Sequence, residues 1–323
     1  MVQQQIWQAS GSLENLRKRS AVIAQIRAFF SARDVLEVET PLLGHSTATD
    51  PHIHSFLVSP PDRLAEKFWY LQTSPEFPMK RLLADGAGSI YQICKVFRAE
   101  ERGRLHNPEF TLLEWYRLGF DHHQLMTEID ALLHEILQTP RADRMSYGEV
   151  FRSYLGLDPY TCSITALQSC AQQHQLDCSS LNDQDKDFWL QLLISHCIEP
   201  FLGQERPLFI TDFPAQQAAL AKISEHNPLA ADRFELYFRG LELANGYHEL
   251  CDASEQRRRF IEDNRQRERM GLSVIPLDEN LLAAMKEGMP ACAGVALGVD
   301  RLIMLACGAN SIDEVISFTV ERA

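Results

Sequence analysis

The chain has 323 residues, of which 45% are apolar and 23% charged, and its formal net charge is −13. These proportions are ordinary for a globular protein with one large core or two smaller ones. A protein that binds a long polyanion gains most of its affinity from basic side chains, so the acidic balance argues against a nucleic-acid ligand. It does not argue against a small phosphate-bearing ligand, because a pocket can be locally basic.

The cysteines and the N-terminus indicate a cytoplasmic protein. None of the 8 cysteines forms a C-x-x-C pair, so reduced thiols are the simplest interpretation. The N-terminus has neither the basic nor the apolar segment of a secretion signal, and no apolar run is long enough to span a membrane. We therefore expect no contact with a membrane.

The first part of the chain reads as a polar lead-in followed by helices and short strands. Residues 1–12 form the lead-in. Apolar spacing then predicts a helix over 13–30 with Ser12 as N-cap, and alternation predicts strands at 35–41 and 68–71. Ser74 is the expected N-cap of a helix that has Pro75 at its first position.

The middle of the chain contains two long strands and a less patterned stretch. Strands are expected at 90–97 and 110–118, joined by the polar loop 99–109, and an amphipathic helix at 123–137. Residues 139–206 are interpreted as a helical insertion, with helices at 164–174 and 185–198, inside one domain that runs from residue 13 to 323.

The last part returns to strand patterns. Strands are expected at 208–211, 234–238, 241–244 and 295–299, and a charged helix at 254–270 with the ion pairs Glu255–Arg259 and Asp263–Arg267. Asp300 is the expected N-cap of the final helix. With few βαβ units, the pattern predicts an α+β fold in which an antiparallel sheet is flanked by helices.

Two distant arginines are candidates for phosphate binding. Arg98 follows a strand and Arg301 begins a helix, and a guanidinium matches phosphate oxygens bidentately. The turn His106-Asn107-Pro108-Glu109-Phe110 offers an imidazole and an aromatic ring nearby in sequence. Each residue alone is explained as well by a surface ion pair, a turn or a core side chain.

Acidic residues mark another segment. Glu235 and Glu242 on neighbouring strands provide the oxygen ligands that Mg²⁺ prefers, although both could be solvated strand residues. The run from Glu242 to Glu249 places polar groups in an otherwise apolar strand, where an unpartnered charge is costly. These groups are therefore candidates for binding a cationic substrate.

Together these segments resemble the motifs of class II aminoacyl-tRNA synthetases. The segments around Arg98 and Arg301 are similar to motifs 2 and 3, the strand 242–249 to one specific to the lysyl enzymes, and 35–41 to motif 1 at the dimer interface. The resemblance extends from Leu13 to Ala323. It implies the class II catalytic-domain fold, a homodimer, and activation of a carboxylic acid with ATP and Mg²⁺.

Within that family the chain resembles the lysyl-tRNA synthetase paralogues that modify elongation factor P. About a dozen residues precede the motif 1 helix, where lysyl-tRNA synthetases carry an anticodon-binding OB-fold domain. Ala244 replaces a glycine of those enzymes, and Ser74 a usual alanine. The resemblance implies (R)-β-lysine as substrate, with α-lysine used poorly because one methyl is worth about 1–3 kcal/mol. It implies elongation factor P as acceptor and no tRNA.

The resemblance also assigns roles to individual residues. Arg98 and Arg301 are the implied catalytic residues, and Glu235 and Glu242 the implied Mg²⁺ ligands. The ATP contacts are Arg98 at the α-phosphate, His106 and Arg301 at the β- and γ-phosphates, and Glu100, Asn107 and Phe110 at adenine. The substrate contacts are Arg98 at the carboxylate, Glu76 at the nearby amino group, Ser74 and Ala244 along the pocket, and Tyr116, Asn245, Tyr247 and Glu249 around the distal ammonium.

Three alternatives stay open at this point. The chain could be a lysyl-tRNA synthetase core that uses a tRNA-binding partner in trans, and the arginine-rich helix 254–270 would then be its basic surface. It could be a small-molecule ligase of the asparagine synthetase A type. A non-catalytic amino-acid sensor is disfavoured, because Arg98, Arg301 and both candidate metal ligands are present.

Overall fold

The computed structural model describes residues 7–59, 68–178 and 185–323. The helices in these ranges are α1 (Leu13–Ser31), α2 (Glu76–Ala84), α3 (His122–Leu137), α4 (Tyr147–Leu155), α5 (Ile164–Gln173), α6 (Lys186–Leu193), α7 (Ala253–Arg269), α8 (Glu279–Gly288) and α9 (Val299–Cys307). The strands are β1 (Leu36–Glu37), β2 (Leu43–Gly44), β3 (Leu57–Val58), β4 (Trp69–Leu71), β5 (Ile90–Phe97), β6 (Glu109–Leu118), β7 (Asp143–Ser146), β8 (Leu208–Pro214), β9 (Ala230–Phe238), β10 (Leu241–His248) and β11 (Cys292–Gly298).

The chain forms two compact units. The first contains the chain up to Phe120, together with Glu135–Leu137 and Leu250–Ala323, and the second contains Asp121–His134 and Gln138–Glu249. The expected insertion at 139–206 falls within the second unit, where it contains β7 as well as α4, α5 and α6. Its status as an insertion in a single domain stays a prediction. Within the described residues, no helix is both long and apolar enough to cross a membrane.

In the first unit, β5, β6 and β11 form an antiparallel array. Ile90 of β5 pairs with Tyr116 of β6, and Cys292 of β11 pairs with Leu118 of β6. The short β1 joins β5 in parallel, and β2, β4 and β3 form a separate small antiparallel sheet. The loop between β5 and β6 allows the antiparallel return that the sequence predicts.

Helix α1 covers this array with an apolar stripe. Ser12 accepts a hydrogen bond from the Asn15 backbone N–H at 3.1 Å, which confirms the predicted N-cap. Phe30, near the end of the helix, stacks on Tyr91 of β5 with ring centroids 4.5 Å apart and meets Trp115 of β6 edge-on. Burial of these aromatic rings supplies much of the packing energy here.

The described end of the lead-in is paired with a late segment of the chain. The backbone N–H groups of Ser10 and Gly11 donate to the carbonyls of Ser317 and Ile316 at 2.7 and 3.0 Å. A Cβ on Gly11 would lie 2.8 Å from the carbonyl oxygens of Glu314 and Ile316, so this close approach requires glycine. Residues 1–6 of the predicted lead-in lie outside the described residues.

In the second unit, β8, β9 and β10 form an antiparallel meander, and β7 joins β8 in parallel. The hairpin between β9 and β10 turns at Arg239 and Gly240, whose φ angles are 53° and 71°. Positive φ at both central residues is the signature of a type I′ turn, whose twist matches the paired strands. This hairpin fixes the register of the strands that carry the acidic candidates.

Helices α4, α5 and α6 pack on the strands of the second unit. Their shared core includes Phe151 of α4, Leu167 of α5, Trp189 of α6 and Tyr237 of β9, all of them buried. Continuous apolar burial of this size is sufficient for a compact unit. The antiparallel sheet flanked by helices is thus confirmed in each unit, apart from one parallel edge pair in each.

Two local predictions are wrong. Ser74 is not the N-cap of α2, because the helix begins at Glu76 and Pro75 occupies the N-cap position. Ser74, one residue before the N-cap, accepts a hydrogen bond from the Glu76 N–H at 3.0 Å. In α7 the Glu255–Arg259 pair is confirmed at 2.9 Å. Arg267, however, donates to the carbonyls of Ser273 and Asp50 rather than to Asp263, because its buried guanidinium lies beside these backbone oxygens.

Candidate active site

Arg98 closes the loop between β5 and β6. Its backbone N–H donates to the Pro108 carbonyl at 2.9 Å, and its guanidinium binds Glu101 at 3.0 Å. The guanidinium carbon lies 5.1 Å from the centroid of the Phe110 ring. Its Nε is buried and makes no hydrogen bond to the described residues, so this donor remains available to an anion.

His106 and Arg301 meet although 195 residues separate them. Arg301 Nη2 lies 2.7 Å from His106 Nε2. Because a guanidinium only donates, Nε2 accepts and the ring proton is on Nδ1. The sequence-based prediction that these two residues belong to one group is therefore consistent with the geometry of the first unit.

Asp300 holds Arg301 in place without capping its helix. The N-cap of α9 is Gly298, so the expected N-cap role of Asp300 is wrong. Asp300 is buried, accepts the Thr111 backbone N–H at 2.8 Å and forms an ion pair with Arg19 of α1. The carboxylate thereby ties the first turn of α9 to β6 and α1.

Two of the three residues expected near adenine, Asn107 and Glu100, have different surroundings. Asn107 is buried: it donates to the Glu109 carbonyl at 2.6 Å and accepts the Val320 N–H at 3.1 Å. Its amide therefore shapes the loop, which leaves a single N–H for a ligand. Glu100 is exposed and lies 3.6 Å from His54.

Glu114 is the centre of a buried polar group that the sequence analysis missed. Ser74 Oγ and Tyr116 OH each donate to one of its carboxylate oxygens at 2.7 Å. Burial, reinforced by the charge of Glu76, raises the pKa of Glu114 to about 8. The structure thus brings Ser74, Glu76 and Tyr116 together around a carboxylate that a bound ammonium group would stabilise.

Glu76 has a partner of its own. The buried Lys80 lies one helical turn further along α2 and binds Glu76 at 2.6 Å. Lys80 also opposes the rise in the pKa of Glu114. Two carboxylates and one internal ammonium therefore share this part of the first unit, which gains a net negative charge once Glu114 ionises.

In the second unit, neighbouring side chains hold the carboxylate of Glu235 in place on β9. Arg233 and the Tyr237 hydroxyl each donate to one of its oxygens at 2.5 Å. Burial raises the pKa of Glu235, Arg233 counteracts this effect, and the charge of Glu242 adds to it. Glu242 is offset from Glu235, because it pairs with Tyr237 while Asn245 pairs with Glu235 across a β-bulge.

These carboxylates fit a magnesium ion by the chemistry of their donors. Each oxygen of Glu235 accepts one hydrogen bond and keeps lone-pair capacity, and Glu242 is near enough to repel it. A hard divalent cation would relieve that repulsion by binding the carboxylate oxygens, which are the ligands it prefers. The residues present are thus compatible with the expected Mg²⁺ ligands.

The other candidates of the second unit follow one another on β10. Ala244 is buried opposite Leu236, and Asn245 presents a buried Oδ1 that has no hydrogen bond to the described residues. Tyr247 packs against the alanines of a small apolar cluster, and Glu249 is buried just beyond the strand, where it pairs with Ala221. Asn245, Tyr247 and Glu249 alternate, so they share one side of this strand.

Comparison with known families identifies the framework that carries these groups. A family model described as tRNA synthetases class II (D, K and N) matches residues 5–322. The chain belongs to this class II synthetase family. Its antiparallel sheet and flanking helices are accordingly those of a class II catalytic domain.

A curated relative adds detail within the class II synthetases. The chain is 53% identical over 314 residues to a protein of Vibrio vulnificus (strain YJ016) named elongation factor P--(R)-beta-lysine ligase, and the match covers 97% of both chains. The family resemblance found in the sequence is confirmed. The roles of individual residues stay predictions.

Glu114 could have been found in the sequence of this class II enzyme. It is the one charged residue in the run Thr111-Leu-Leu-Glu-Trp-Tyr116. A charge inside a buried strand is costly unless it has a partner. The same reasoning that indicates a binding role for the polar strand 242–249 therefore applies to Glu114 in β6.

Proposed function

We propose that this chain activates (R)-β-lysine with ATP and transfers it to the ε-amino group of a lysine on elongation factor P. The observation that carries the proposal is the 53% identity, over 97% of both chains, to the ligase named above. Membership of the class II synthetases supports an aminoacyl-adenylate as the intermediate, and ATP as its source. The enzyme is an AMP-forming ligase.

The first step joins the substrate carboxylate to the α-phosphorus of ATP and expels pyrophosphate. Arg98 is proposed to bind both the carboxylate and the α-phosphate, and its Nε, which has no hydrogen-bond partner among the described residues, supports this role. His106 and Arg301 are proposed to hold the β- and γ-phosphates. A carboxylate is already ionised at neutral pH, so this step needs positioning and charge stabilisation rather than a general base.

Phe110 is the proposed platform for adenine. The Arg98 guanidinium already lies against its ring. Glu100 and Asn107 are proposed to contact the edge of the base, and Asn107 has one amide N–H left for this purpose. Glu235 and Glu242 would hold Mg²⁺, which supplies positive charge to the phosphates when it is bound.

The amino groups of the substrate are proposed to meet carboxylates. Glu76 is assigned to the amino group near the carboxylate, and Tyr116 to the distal ammonium, with the buried Glu114 that its hydroxyl contacts as a further ligand. Glu249, Asn245 and Tyr247 are assigned to the distal ammonium, and Ala244 disfavours α-lysine. A buried carboxylate with a raised pKa favours a positively charged ligand, which supports this assignment.

In the second step the neutral ε-amine of the acceptor lysine attacks the adenylate carbonyl. An amide bond forms, AMP leaves, and the amine gives up one proton. We propose that the acceptor is elongation factor P rather than tRNA, that the enzyme works as a homodimer, and that it acts in the cytoplasm. Exposed leucines on the short strands of the first unit support the dimer.

An acceptor assay tests the proposal. The enzyme is incubated with ATP, Mg²⁺ and labelled (R)-β-lysine or α-lysine, with purified elongation factor P in one tube and total tRNA in another. We expect label on the protein in an alkali-stable bond, with (R)-β-lysine the better substrate. Label on tRNA in an alkali-labile ester would instead indicate a synthetase core, and formation of a free amide without either acceptor would indicate a small-molecule ligase.

A further inference from the structure

A separate group of metal-ligating side chains lies in the second unit. His122 opens α3, Asp232 lies in β9, and His248 lies in β10, and one ligand atom of each is within 4.8 Å of the others. Nδ1 of His248 and Oδ2 of Asp232 are 3.4 Å apart. None of these residues has a role in the chemistry described above.

The His122 ring is buried. The side chain is 7% exposed, and Nδ1 forms no hydrogen bond to any of the described residues. Buried polar atoms are nearly always paired, so an orphaned imidazole nitrogen beside a carboxylate needs an explanation. The ring lies roughly parallel to that of His248, with centroids 6.3 Å apart.

The backbone already fixes two of the three residues. The Lys222 N–H donates to the His248 carbonyl at 2.8 Å, and the Asp232 N–H donates to the Lys222 carbonyl at 2.9 Å. Lys222 therefore bridges the two strands at the level of these side chains. Such preorganisation lowers the cost of assembling a ligand set.

We propose that His122, Asp232 and His248 bind a divalent first-row transition metal, represented by Zn²⁺. Two imidazoles and one carboxylate suit zinc, whereas Mg²⁺ prefers oxygen ligands throughout. Ligand atoms of a tetrahedral zinc site lie roughly 3.3 Å apart. The His248–Asp232 separation of 3.4 Å fits, and the wider separations must shorten by side-chain rotation on binding.

The protonation state of His122 also favours metal binding. Burial, together with the neighbouring His123, lowers the pKa of His122 to about 4, so the ring is neutral at pH 7. Neutral imidazole is the form that binds metals. The bound ion links α3, β9 and β10, and it steadies the end of β10 that carries Tyr247.

Metal binding is measured on the full chain without reference to ligase activity. The protein is stripped with a chelator and titrated with Zn²⁺ against a chromophoric indicator, and Co²⁺ is added in parallel to record its visible absorption. We expect one Zn²⁺ per chain. His122→Ala is expected to weaken binding by roughly 100-fold or more, since it removes a direct ligand.

The matched control is His174→Ala, because His174 is an exposed histidine of the same unit at the end of α5. This variant should bind zinc like the wild type. Should His122→Ala fail to fold, Asp232→Asn replaces it, and Zn²⁺ should then raise Tm in the wild type but not in the variant. Absence of zinc binding in the wild type, or retention of full affinity in the folded ligand variants, would overturn the proposal. The latter result would place the ion on other residues, such as the free cysteines.

Discussion

Glu114 lies in the middle of β6, and each of its carboxylate oxygens has a different hydroxyl partner. Ser74 binds one oxygen and Tyr116 the other, so the carboxylate is oriented before any substrate arrives. Its neighbour Glu76 carries a like charge, and Lys80 only partly compensates it. We therefore expect substitution of Glu114 to affect amino-acid binding separately from ATP binding.

Glu114→Gln should raise KM for the amino acid by roughly 10- to 100-fold, because a hydrogen bond to a charged group contributes about 1.5–3 kcal/mol. KM for ATP should change little. Both constants are measured by ATP–pyrophosphate exchange. Glu109→Gln on the same strand is the control, since the Glu109 carboxylate forms an exposed ion pair with Lys95. Equal effects on the two KM values would contradict the assignment.

The pH dependence follows from the same group. Burial raises the pKa of Glu114 to about 8, so below that pH it is protonated in the free enzyme and binds an ammonium poorly. We expect kcat/KM for the amino acid to rise with pH up to about 8, since this ratio reports on the free enzyme. In Glu114→Gln, this rise of kcat/KM with pH should be absent. A rise that persists in the variant would assign the titration to another group.

Ala244 offers a test of substrate choice. Ala244→Gly removes one buried methyl group from β10 and should improve the use of α-lysine relative to (R)-β-lysine by about 1–3 kcal/mol. The ratio of kcat/KM values for the two isomers measures this change. Ala230→Gly removes a buried methyl from β9 and should leave the ratio unaltered. An unchanged ratio in the Ala244 variant would refute our explanation of this residue.

At the scale of elements, α9 depends on a buried ion pair for its position. Asp300 joins Arg19 of α1 and the backbone of Thr111 in β6, and the next residue is Arg301. The helix thus begins at a point fixed by two other elements. Because of this anchor, Arg301 can meet His106 at a defined distance.

Asp300→Asn should lower the free energy of unfolding by about 3 kcal/mol, because it leaves the mostly buried Arg19 without a counter-charge. Urea denaturation measures this loss. Asp313→Asn alters an exposed carboxylate in the following 3₁₀ turn and should have little effect on stability. A stable Asp300 variant would show that the pair does not anchor the helix.

The sequence predicted elements well where periodicity was unbroken. Helix α1 and strands β5 and β6 were located within a few residues, because apolar spacing reflects the face that each element buries. Strand β8 was expected to end at Thr211 but continues to Pro214 past a bulge at Asp212, which has a φ of 57°. A bulge shifts the alternation by one residue, so the pattern appears to stop.

The sequence predicts which residues belong to the site, but not which residues they contact. The sequence pointed to His106 and Arg301, and they meet. It could not show that Asn107 accepts the Val320 N–H, nor that Asp300 binds Arg19, because such partners are far away along the chain. Tertiary contacts of this kind leave no local pattern.

At the scale of the whole molecule, the first unit presents apolar side chains suited to a second copy. Leu36, Leu43 and Leu57 are exposed on β1, β2 and β3. Exposed apolar groups on short strands mark interaction surfaces. They lie close in sequence to the segment that resembles motif 1.

Leu57→Asp should convert the proposed dimer into a monomer, because it places a charge in the proposed apolar interface. Light scattering after size-exclusion chromatography gives the mass. The control is Leu229→Asp in the second unit, whose leucine is 51% exposed against 53% for Leu57. A wild-type monomer, or a dimer that survives Leu57→Asp, would count against this surface.

The order of the chain through the two units has a consequence for synthesis. Apart from Glu135–Leu137, the chain leaves the first unit at Phe120 and returns to it at Leu250, while the second unit is nearly continuous. The Arg19–Asp300 contact spans 281 residues and cannot form until the last strand and helix have left the ribosome. The second unit can therefore fold before the first is complete. During that interval the apolar side chains of the N-terminal third of the chain are not yet buried, and chaperone binding would be most needed there.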